Sequence, residues 1–314
     1  MSETRHTRLL IIGSGPAGYT AGVYGSRAML EPILLQGNEP GGQLMITTEV
    51  ENWPGIIDTQ GPELMQHLEA HARKAGTEII GDHVDSLDLS KRPFTAKTQS
   101  GATYTADAVV LATGAQARWL GLESEEKFKG FGVSACATCD GFFYRGKEVI
   151  VVGGGNTAVE EALFLTNFAS KVTLVHRRDE LRSEKILENR LLKNEKIETM
   201  WFHEVEEILG TENPKGVTGV RLRNNQTGET FEKAVDGVFI AIGHSPSSEL
   251  VIDQLETHMG GYVVTEPDST RTSIPGVFAA GDLTDHQYRQ AVTSSGAGCM
   301  AALEAERFLA AQED

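Results

Sequence analysis

The fold is decided by the stretch Arg8-Leu9-Leu10-Ile11-Ile12-Gly13-Ser14-Gly15-Pro16-Ala17-Gly18. Its first five residues predict a short apolar strand, and a helix-compatible run from Tyr19 to Met29 follows the last glycine. A second strand is predicted at Pro32 to Leu35. In this order of strand, Gly-x-Gly-x-x-Gly turn and helix, backbone amides at the helix N-terminus receive a pyrophosphate. The stretch therefore predicts a dinucleotide-binding unit rather than a bare tight turn.

The same pattern returns 140 residues later. A strand at Glu148 to Val152 leads into Gly153-Gly154-Gly155-Asn156-Thr157-Ala158, followed by a helix to about Ala169 and a strand at Lys171 to Val175. Chance reuse of a glycine turn would not also bring a second strand at the same distance. The repeat therefore predicts a second dinucleotide-binding unit.

The two units differ where such sites carry an acid, about 20 residues after the first glycine, to bind the ribose hydroxyls. Gln36 stands there in the first unit, and an amide can still hydrogen-bond a ribose. The second unit has His176-Arg177-Arg178 at that place, with Arg182 nearby. Arginine holds phosphate bidentately, so this position favours a 2′-phosphate and NADP over NAD, although a solvated basic turn is the alternative.

The remaining pattern predicts that the second unit is inserted into the first. Strands end on glycine at Ala108 to Gly114 and at Val238 to Gly243, and each is followed by a linker. The C-terminal section contains Val277 to Asp282, a strand whose carboxylate could bind a flavin nucleotide. Other predicted elements are a helix over residues 62–75, hairpin strands over 94–110, a helix from Arg182 to about Lys193, strands over 197–239 and a small-residue helix over 294–310.

Two of the three cysteines lie together in Cys136-Ala137-Thr138-Cys139-Asp140. A Cys-x-x-Cys pair can cycle between dithiol and disulfide, whereas a zinc site would need two further ligands at suitable spacing. The third cysteine, Cys299, lies in the predicted C-terminal helix and is expected to pack in the core of the protein. The spacing alone leaves redox chemistry, zinc and a structural bridge open.

Composition narrows the functional classes. The chain has 314 residues and a net charge of −16, which fits about two domains and argues against a nucleic-acid binder. The N-terminus has no apolar signal core, and no apolar run is long enough to span a bilayer. The sequence therefore predicts a soluble cytoplasmic protein, in which three cysteines do not suggest a disulfide framework.

Taken together, the two glycine motifs, Cys136 to Gly141, His176-Arg177-Arg178 and Ala279 to Asp282 resemble the bacterial low-molecular-weight thioredoxin reductases over essentially the whole chain. The resemblance implies an α/β fold with two Rossmann-like domains of the three-layer ββα type. Residues 1–117 and 248–314 would form an FAD domain, and residues 118–247 an NADPH domain. It also implies a homodimer that uses NADPH to reduce thioredoxin, with no metal, nucleic acid or membrane partner.

Individual roles follow from the same resemblance. Cys139 would be the sulfur nearest the flavin, Cys136 the thiolate that attacks thioredoxin, and Asp140 the general acid and base. The residues that would contact FAD are Gly13, Ser14, Gly15, Pro16, Ala17, Gln36, Gly37, Gly42, Gln43, Thr47, Asn52, Thr113, Gly114, Gly281, Asp282, Arg289, Gln290 and Ala291. Those that would contact NADPH are Gly153, Gly155, Asn156, Thr157, His176, Arg177, Arg178, Arg182 and Gly243.

Two points leave the partner and the activity open. Phe131 stands where related sequences often carry a basic residue on the thioredoxin-facing side, and Phe142 and Phe143 suit either partner contact or core packing. The alternatives are a reductase of another thioredoxin-like or peroxiredoxin partner, and a redox-sensing flavoprotein without turnover. A flavin dithiol oxidase without nicotinamide is disfavoured by His176-Arg177-Arg178.

Overall fold

The computed structural model describes residues 4–47 and 50–313. The strands are β1 (Thr4–Ile12), β2 (Ile33–Leu35), β3 (Glu78–Ile80), β4 (Val84–Asp88), β5 (Phe94–Thr98), β6 (Thr103–Leu111), β7 (Ala115–Ala117), β8 (Val133–Ser134), β9 (Glu148–Val152), β10 (Lys171–His176), β11 (Ile197–Trp201), β12 (His203–Glu212), β13 (Lys215–Asn224), β14 (Thr230–Ala234), β15 (Gly237–Ile240), β16 (His244–Pro246), β17 (Thr257–His258), β18 (Tyr262–Val263) and β19 (Val277–Ala279). The helices are α1 (Pro16–Arg27), α2 (Gly61–Ala75), α3 (Glu123–Phe128), α4 (Ala137–Asp140), α5 (Asn156–Leu165), α6 (Lys185–Leu192) and α7 (Ala291–Glu313).

The chain divides into two compact units, one of Met1–Gln116 with Ser245–Asp314 and one of Ala117–His244. The first unit is built on a seven-stranded sheet with the order β3-β2-β1-β6-β5-β4, in which β19 also pairs with β6. One edge of β6 pairs with β1 along its whole length. The other edge pairs with β5 in its first half and with β19 in its second half. The C-terminal segment therefore completes a sheet that the N-terminal segment begins.

Alternation along β1 separates the two faces of this sheet. Leu9 and Ile11 belong to a core cluster that contains buried residues of α1, α2 and α7. Leu10 and Ile12 belong to a second cluster on the opposite face, together with Val251. Because successive side chains of a strand point to opposite faces, a continuous apolar run requires both faces to be covered. The strand therefore lies in the middle layer of three.

The inserted unit repeats this construction. Its parallel sheet has the order β11-β10-β9-β15-β8, and β12, β13 and β14 form a separate antiparallel sheet. In β9, Val149 and Val151 cluster with residues of α5 and α6, whereas Ile150 and Val152 cluster with residues of the antiparallel sheet. The prediction of two Rossmann-like units in three ββα layers is therefore confirmed.

Some element boundaries differ from the prediction. Helix α1 begins at Pro16, inside the glycine motif, rather than at Tyr19. Helix α5 ends at Leu165 instead of about Ala169, because the Thr166 hydroxyl and the Asn167 amide donate to the carbonyls of Leu163 and Phe164 and so cap the last turn. The connections predicted as linkers contain the short strands β7 and β16, which pair with each other.

Helix α7 is held to the segment before β19 by Glu304. Its carboxylate accepts hydrogen bonds from the backbone N–H of Thr270 at 2.8 Å and from the Ser269 hydroxyl at 2.7 Å. Burial alone would raise the pKa of Glu304, but the hydrogen bonds from Thr270 and Ser269 outweigh it and hold the pKa below its ordinary value. The ionised carboxylate therefore stabilises the folded state.

Glu304→Gln is expected to lower the free energy of unfolding by about 1–3 kcal/mol at neutral pH, because a buried donor loses its charged acceptor. A depressed folded-state pKa gives stability that is complete above the unfolded pKa of about 4.3 and is lost as pH falls through the folded-state value. Urea unfolding at pH 7 and below pH 4 measures the difference, with the exposed Glu306→Gln as control. A difference that stays constant with pH would contradict this assignment.

Candidate active site

The first glycine turn leaves no room for side chains on its inner side. Gly13 has a φ of +110°, and a Cβ atom there would lie 2.2 Å from the carbonyl oxygen of Ala112, just after β6. A Cβ atom on Gly18 would lie 2.0 Å from the carbonyl oxygen of Gly13. Both positions therefore require glycine so that α1 can approach the sheet closely.

The outer side of this turn is open. Gly15 is the N-cap of α1, no side chain caps the helix, and no described atom lies within 4 Å of a Cβ atom placed there. Gly42 lies beside it, because a Cβ atom on Gly42 would be 4.0 Å from the Cα atom of Gly15. The first backbone N–H groups of α1 therefore face a space that suits a pyrophosphate.

The second glycine turn has the same geometry. A Cβ atom on Gly153 would lie 2.3 Å from the carbonyl oxygen of Ala241, which follows β15 as Ala112 follows β6. Gly155 is the N-cap of α5, with open space at its Cβ position among the described residues and no side-chain cap. The inserted unit therefore contains a second open glycine turn of the same kind. We call the turn at Gly13 to Gly18 the first cradle and the turn at Gly153 to Gly155 the second cradle.

Residues from both ends of the chain meet at the first cradle. A Cβ atom on Gly281 would lie 3.1 Å from the Cβ atom of Ala17, and one on Gly298 would lie 2.1 Å from the Ala17 carbonyl oxygen. The Ser294 hydroxyl donates to Asp282 at 2.9 Å. Burial raises the pKa of Asp282 to about 6, although this hydrogen bond opposes the shift. The Gly281-Asp282 motif therefore adjoins the first glycine turn.

Other predicted flavin residues are grouped by hydrogen bonds. Asn52 donates to the side-chain oxygen of Gln290 at 3.3 Å, which joins residues 238 positions apart. The Thr113 hydroxyl donates to the carbonyl of Ser247, and the Ser247 N–H donates to the carbonyl of Gly114. The other predicted flavin residues lie outside the strands. Ala291 is the first residue of α7, and connecting segments contain Gly37, Gln43, Thr47 and Arg289.

Gln36 is engaged within the fold. Its side-chain N–H donates to the hydroxyl oxygen of Tyr19 at 2.9 Å, and the Tyr19 hydroxyl donates to Glu69 at 3.0 Å. Burial is the main cause that raises the pKa of Tyr19 to about 12. Ser14, also buried, donates to the Gln36 carbonyl at 2.8 Å. The Gln36 amide nitrogen is therefore occupied by protein groups, a partnership that spacing along the sequence does not reveal.

The basic group at the second cradle surrounds a buried histidine. His176 is 5% exposed, its Nε2 atom has no hydrogen-bond partner among the described residues, and a Cβ atom on Gly154 would lie 2.2 Å from its ring. Burial lowers the pKa of His176, and the charges of Arg182, Arg178 and Arg177 lower it further. The neighbouring cations are therefore close enough to act on the imidazole.

The three arginines are available to an anion. Arg177, Arg178 and Arg182 are exposed, and none forms an ion pair within the described part of the chain. The Arg182 N–H donates to the Gly154 carbonyl at 2.7 Å, which places this segment beside the glycine turn. Asn156 accepts from the Glu184 N–H at 2.8 Å, while Thr157 lies in the first turn of α5 and Gly243 follows β15. The arrangement fits a phosphorylated nucleotide.

Cys136 and Cys139 form a disulfide, with Cα atoms 5.3 Å apart. Cys136 is the N-cap of α4, and the N–H of Cys139 donates to its sulfur at 3.2 Å. The Ser134 hydroxyl accepts from the Cys136 N–H at 3.0 Å. A disulfide-bonded pair is not a zinc-ligand pair, and the described residues contain no group of three or more candidate metal ligands.

Two aromatic residues after the disulfide have different environments. Phe142 is 51% exposed, whereas Phe143 packs against the core cluster of α5. Tyr144, which sequence reasoning missed, is buried, and burial together with the charge of Asp140 raises its pKa. Asp140 therefore lies close enough to a buried phenol to interact with it. The sequence indicates this contact only by the position of Tyr144, an aromatic residue four positions after Asp140.

Cys299 departs from the prediction of a core position. It is a free, half-buried cysteine on α7, and it interacts with Tyr24 of α1. The helix is rich in small residues because Gly298, the preceding residue, packs on Ala17. Its neighbour Met300 is exposed, so one side of this turn of α7 lies at the surface while Gly298 packs inward.

Comparison with known proteins identifies the class. The sequence matches the pyridine nucleotide-disulphide oxidoreductase family over residues 7–298, and the chain therefore belongs to that family. Both glycine cradles and the disulfide fall within the matched range.

Its relatives within the class are thioredoxin reductases. The thioredoxin reductase of Rickettsia conorii is 58% identical, and the match covers 96% of this chain and 98% of that protein. The one of Vibrio cholerae is also 58% identical, and the match covers 99% of both chains. A solved thioredoxin reductase from Giardia duodenalis has a TM-score of 0.93 at 43% identity, covering 98% of this chain and 99% of that one. The predicted resemblance to the thioredoxin reductases is confirmed.

Proposed function

We propose that the protein is an NADPH-dependent, FAD-containing thioredoxin-disulfide reductase. The observation that carries the proposal is the Cys136–Cys139 disulfide, which lies in the same unit as an open glycine turn. The segment of Arg182 is bonded to this turn, and its arginines form no ion pair within residues 4–47 and 50–313. The relatives named above are thioredoxin reductases over nearly their full length, which supports thioredoxin as the partner. No helix in the described parts of the chain is long and apolar enough to cross a membrane. The cytoplasm, where thiols stay reduced, is the proposed location.

The residues of the first cradle fit FAD. The open N-terminus of α1 would receive the pyrophosphate, and Asp282 would accept hydrogen bonds from the sugar alcohol groups. NADPH would lie on the second cradle, with its 2′-phosphate toward Arg177, Arg178 and Arg182. When bound, FAD would accept two electrons from NADPH and deliver them to the disulfide, which accepts hydride poorly by itself.

The reduced cysteines would then act in sequence. The N–H group of Cys139 points at the sulfur of Cys136, so a negative charge is favoured there and Cys136 is the attacking thiolate. Its attack on the partner disulfide forms a mixed disulfide and expels one partner thiolate, which Asp140 would protonate. Asp140, now a carboxylate, would take the proton of the Cys139 thiol, whose sulfur then attacks the Cys136 sulfur and expels the second partner thiolate. Asp140 would pass this proton to that thiolate. The partner gains two electrons and two protons, and the Cys136–Cys139 bond is restored.

A homodimer is part of the proposal. Tyr24 on α1 and Val292 and Met300 on α7 are exposed apolar side chains on helices that pack against each other. Exposed apolar surface of this kind is typical of an interface with another copy of the chain.

The proposal is tested by mixing the purified yellow protein with NADPH and oxidised thioredoxin and following the loss of NADPH absorbance. Turnover that depends on both substrates is expected. A protein whose flavin is reduced once, without continued NADPH oxidation when thioredoxin is present, would instead be a redox sensor.

Gly155→Ala is expected to raise the Kd for NADPH by at least about 10-fold, because the added methyl group occupies the space in front of the α5 amides. The fold should be unaffected, since Gly155 has a φ of −97° and an open Cβ position among the described residues. Gly153→Ala is the contrasting variant, because its Cβ atom would collide with the Ala241 carbonyl. Fluorescence titration with NADPH and thermal unfolding separate the two effects. Unchanged NADPH binding by Gly155→Ala would exclude this cradle.

A further inference from the structure

Gln36 directly follows β2 and stands where a ribose-binding acid is usual in nucleotide-binding units. Its backbone is fixed on both sides, because its N–H donates to the Ile80 carbonyl at 3.0 Å and its carbonyl accepts from the Ser14 hydroxyl at 2.8 Å. The Ser14 hydroxyl in turn accepts from the Gly41 N–H at 3.1 Å. The end of β2 is therefore held beside the first cradle.

The side chain of Gln36 ends a chain of hydrogen bonds that begins at Glu69 on α2. The Tyr19 hydroxyl donates to a carboxylate oxygen of Glu69 at 3.0 Å and accepts from the Gln36 amide nitrogen at 2.9 Å. The same nitrogen lies 3.4 Å from Glu69. Because an ionised carboxylate can only accept, the hydroxyl donates to it, and the amide must then present its N–H group to the hydroxyl. Glu69 therefore determines which way round the amide lies.

Glu69 is itself held by Arg73, one turn further along α2. The Nε and Nη2 atoms of Arg73 lie 2.8 Å and 2.7 Å from the Oε1 atom of Glu69, and Nη1 donates to the Ile79 carbonyl in β3 at 3.3 Å. The contacts of Glu69 with Tyr19 and Gln36 are made by its other oxygen, Oε2. The ion pair and the bond to β3 therefore hold the carboxylate in place and leave one oxygen for the network.

The amide oxygen of Gln36 is directed away from this network. It accepts no hydrogen bond within residues 4–47 and 50–313, and a Cβ atom placed on the exposed Gly81 would lie 3.7 Å from it. Tyr19, in contrast, is 1% exposed, and burial raises its pKa to about 12, so that its hydroxyl keeps its proton at neutral pH. The donor end of the amide is therefore engaged inside the fold, and the acceptor end lies beside Gly81.

We propose that Glu69, acting through Tyr19, is a positioning residue that orients the Gln36 amide so that its oxygen accepts a hydrogen bond from the adenosine ribose of FAD. The inference rests on the proposed function and adds to it how a neutral amide replaces the usual acid. A carboxylate has an acceptor oxygen at both ends, whereas an amide has one at only one end. A glutamine at this place therefore needs a group that selects its orientation.

The first test is a double-mutant cycle on Gln36 and Glu69, measured as the Kd for FAD. Free FAD, separated by ultrafiltration from a dilution series of the yellow holoprotein, gives this constant. Gln36→Ala is expected to raise the Kd about 10-fold, because the acceptor is lost. Glu69→Ala is expected to raise it about fivefold, because the amide is no longer ordered before FAD binds. Glu306→Ala, which removes an exposed carboxylate of α7, is the control and should match wild type.

The double variant shows whether Glu69 acts through Gln36. In the Gln36→Ala background, Glu69→Ala should raise the Kd by less than about twofold, because the side chain that it orients is absent. A general disturbance of the fold would weaken FAD binding by the same factor in both backgrounds. Equal losses in the two backgrounds, or a wild-type Kd for Glu69→Ala, would refute the positioning role.

Exchanging the two side chains tests the orientation itself. Gln36→Glu alone brings a second carboxylate to a position 3.4 Å from Glu69, so the Kd for FAD is expected to rise about 10-fold. Adding Glu69→Gln should return it to within about threefold of wild type, because the amide at position 69 can donate to Tyr19, whose hydroxyl then donates to the carboxylate at position 36. If the exchanged protein binds FAD as weakly as Gln36→Glu alone, the network does not set the orientation.

These results are distinct from a failure of the proposed function. A wild-type protein that holds no flavin, or that shows no turnover with NADPH and thioredoxin, would refute the proposed function and this inference with it. A yellow and active wild-type protein whose Kd for FAD does not respond to Glu69→Ala would refute the role of Glu69 alone.

Discussion

Cys136→Ser is expected to lower kcat for thioredoxin reduction by at least about 10³-fold, because the proposed nucleophile of the mixed-disulfide step is removed. NADPH should still reduce the bound flavin once, since the first cradle and the second cradle do not include Cys136. The measurement is steady-state NADPH oxidation with thioredoxin, beside a single-turnover record of flavin absorbance. Cys299→Ser, which removes the free cysteine on α7, is the control and should keep its activity.

The companion variant Cys139→Ser distinguishes the roles of the two sulfurs. It keeps the Cys136 thiolate and the backbone N–H of residue 139 that points at it. It cannot resolve the mixed disulfide, so a covalent complex with thioredoxin should accumulate on non-reducing gels. If Cys136→Ser forms that complex and Cys139→Ser does not, the two assignments are reversed.

Replacing both Arg177 and Arg178 by alanine is expected to raise the KM for NADPH about 100-fold, because the two proposed charge-assisted contacts to the 2′-phosphate are lost. The KM for NADH should change by less than about threefold, since that nucleotide has no 2′-phosphate. Steady-state kinetics with each nucleotide measure the ratio. Arg190→Ala, an exposed arginine on α6, is the matched control.

The double arginine variant could also raise the KM by disturbing the structure around His176. His176 lies buried against Gly154, and losing the neighbouring cations removes two of the charges that lower its pKa. A structural disturbance would raise the KM for both nucleotides together. Equal losses for NADPH and NADH would therefore contradict a 2′-phosphate site at these arginines.

Local rules were sufficient to predict the glycine cradles. Gly13 and Gly153 each follow a strand and precede a helix, so the sequence itself contains the turn, the close approach and the helix start. The insertion of one unit into the other followed from the repeated strand-to-glycine endings. Both predictions depend on neighbours in sequence, which a single chain shows directly.

The parts that sequence missed depend on residues far apart in the chain. The contacts of the Gln36 amide nitrogen with Tyr19 and Glu69, which lie on α1 and α2, were not predicted. The hydrogen bond of Gln36 to a ribose stays a prediction. Lys215 reaches Phe131 only because the β12–β13 hairpin packs on Gly132. Nothing in the spacing of these residues encodes such contacts, because side-chain packing between separate elements decides them.

The divided edge of β6 has a consequence for the order of synthesis. The second half of that edge stays unpaired until β19 is synthesised. This happens only after the whole inserted unit, Ala117–His244, has been translated. The inserted unit is contiguous and can fold as soon as it emerges from the ribosome. The sheet of the first unit, in contrast, stays incomplete until the C-terminal segment is released. A chain stalled before β19 therefore exposes Val109 and Val110 on an unpaired strand edge, a target for chaperones and proteases.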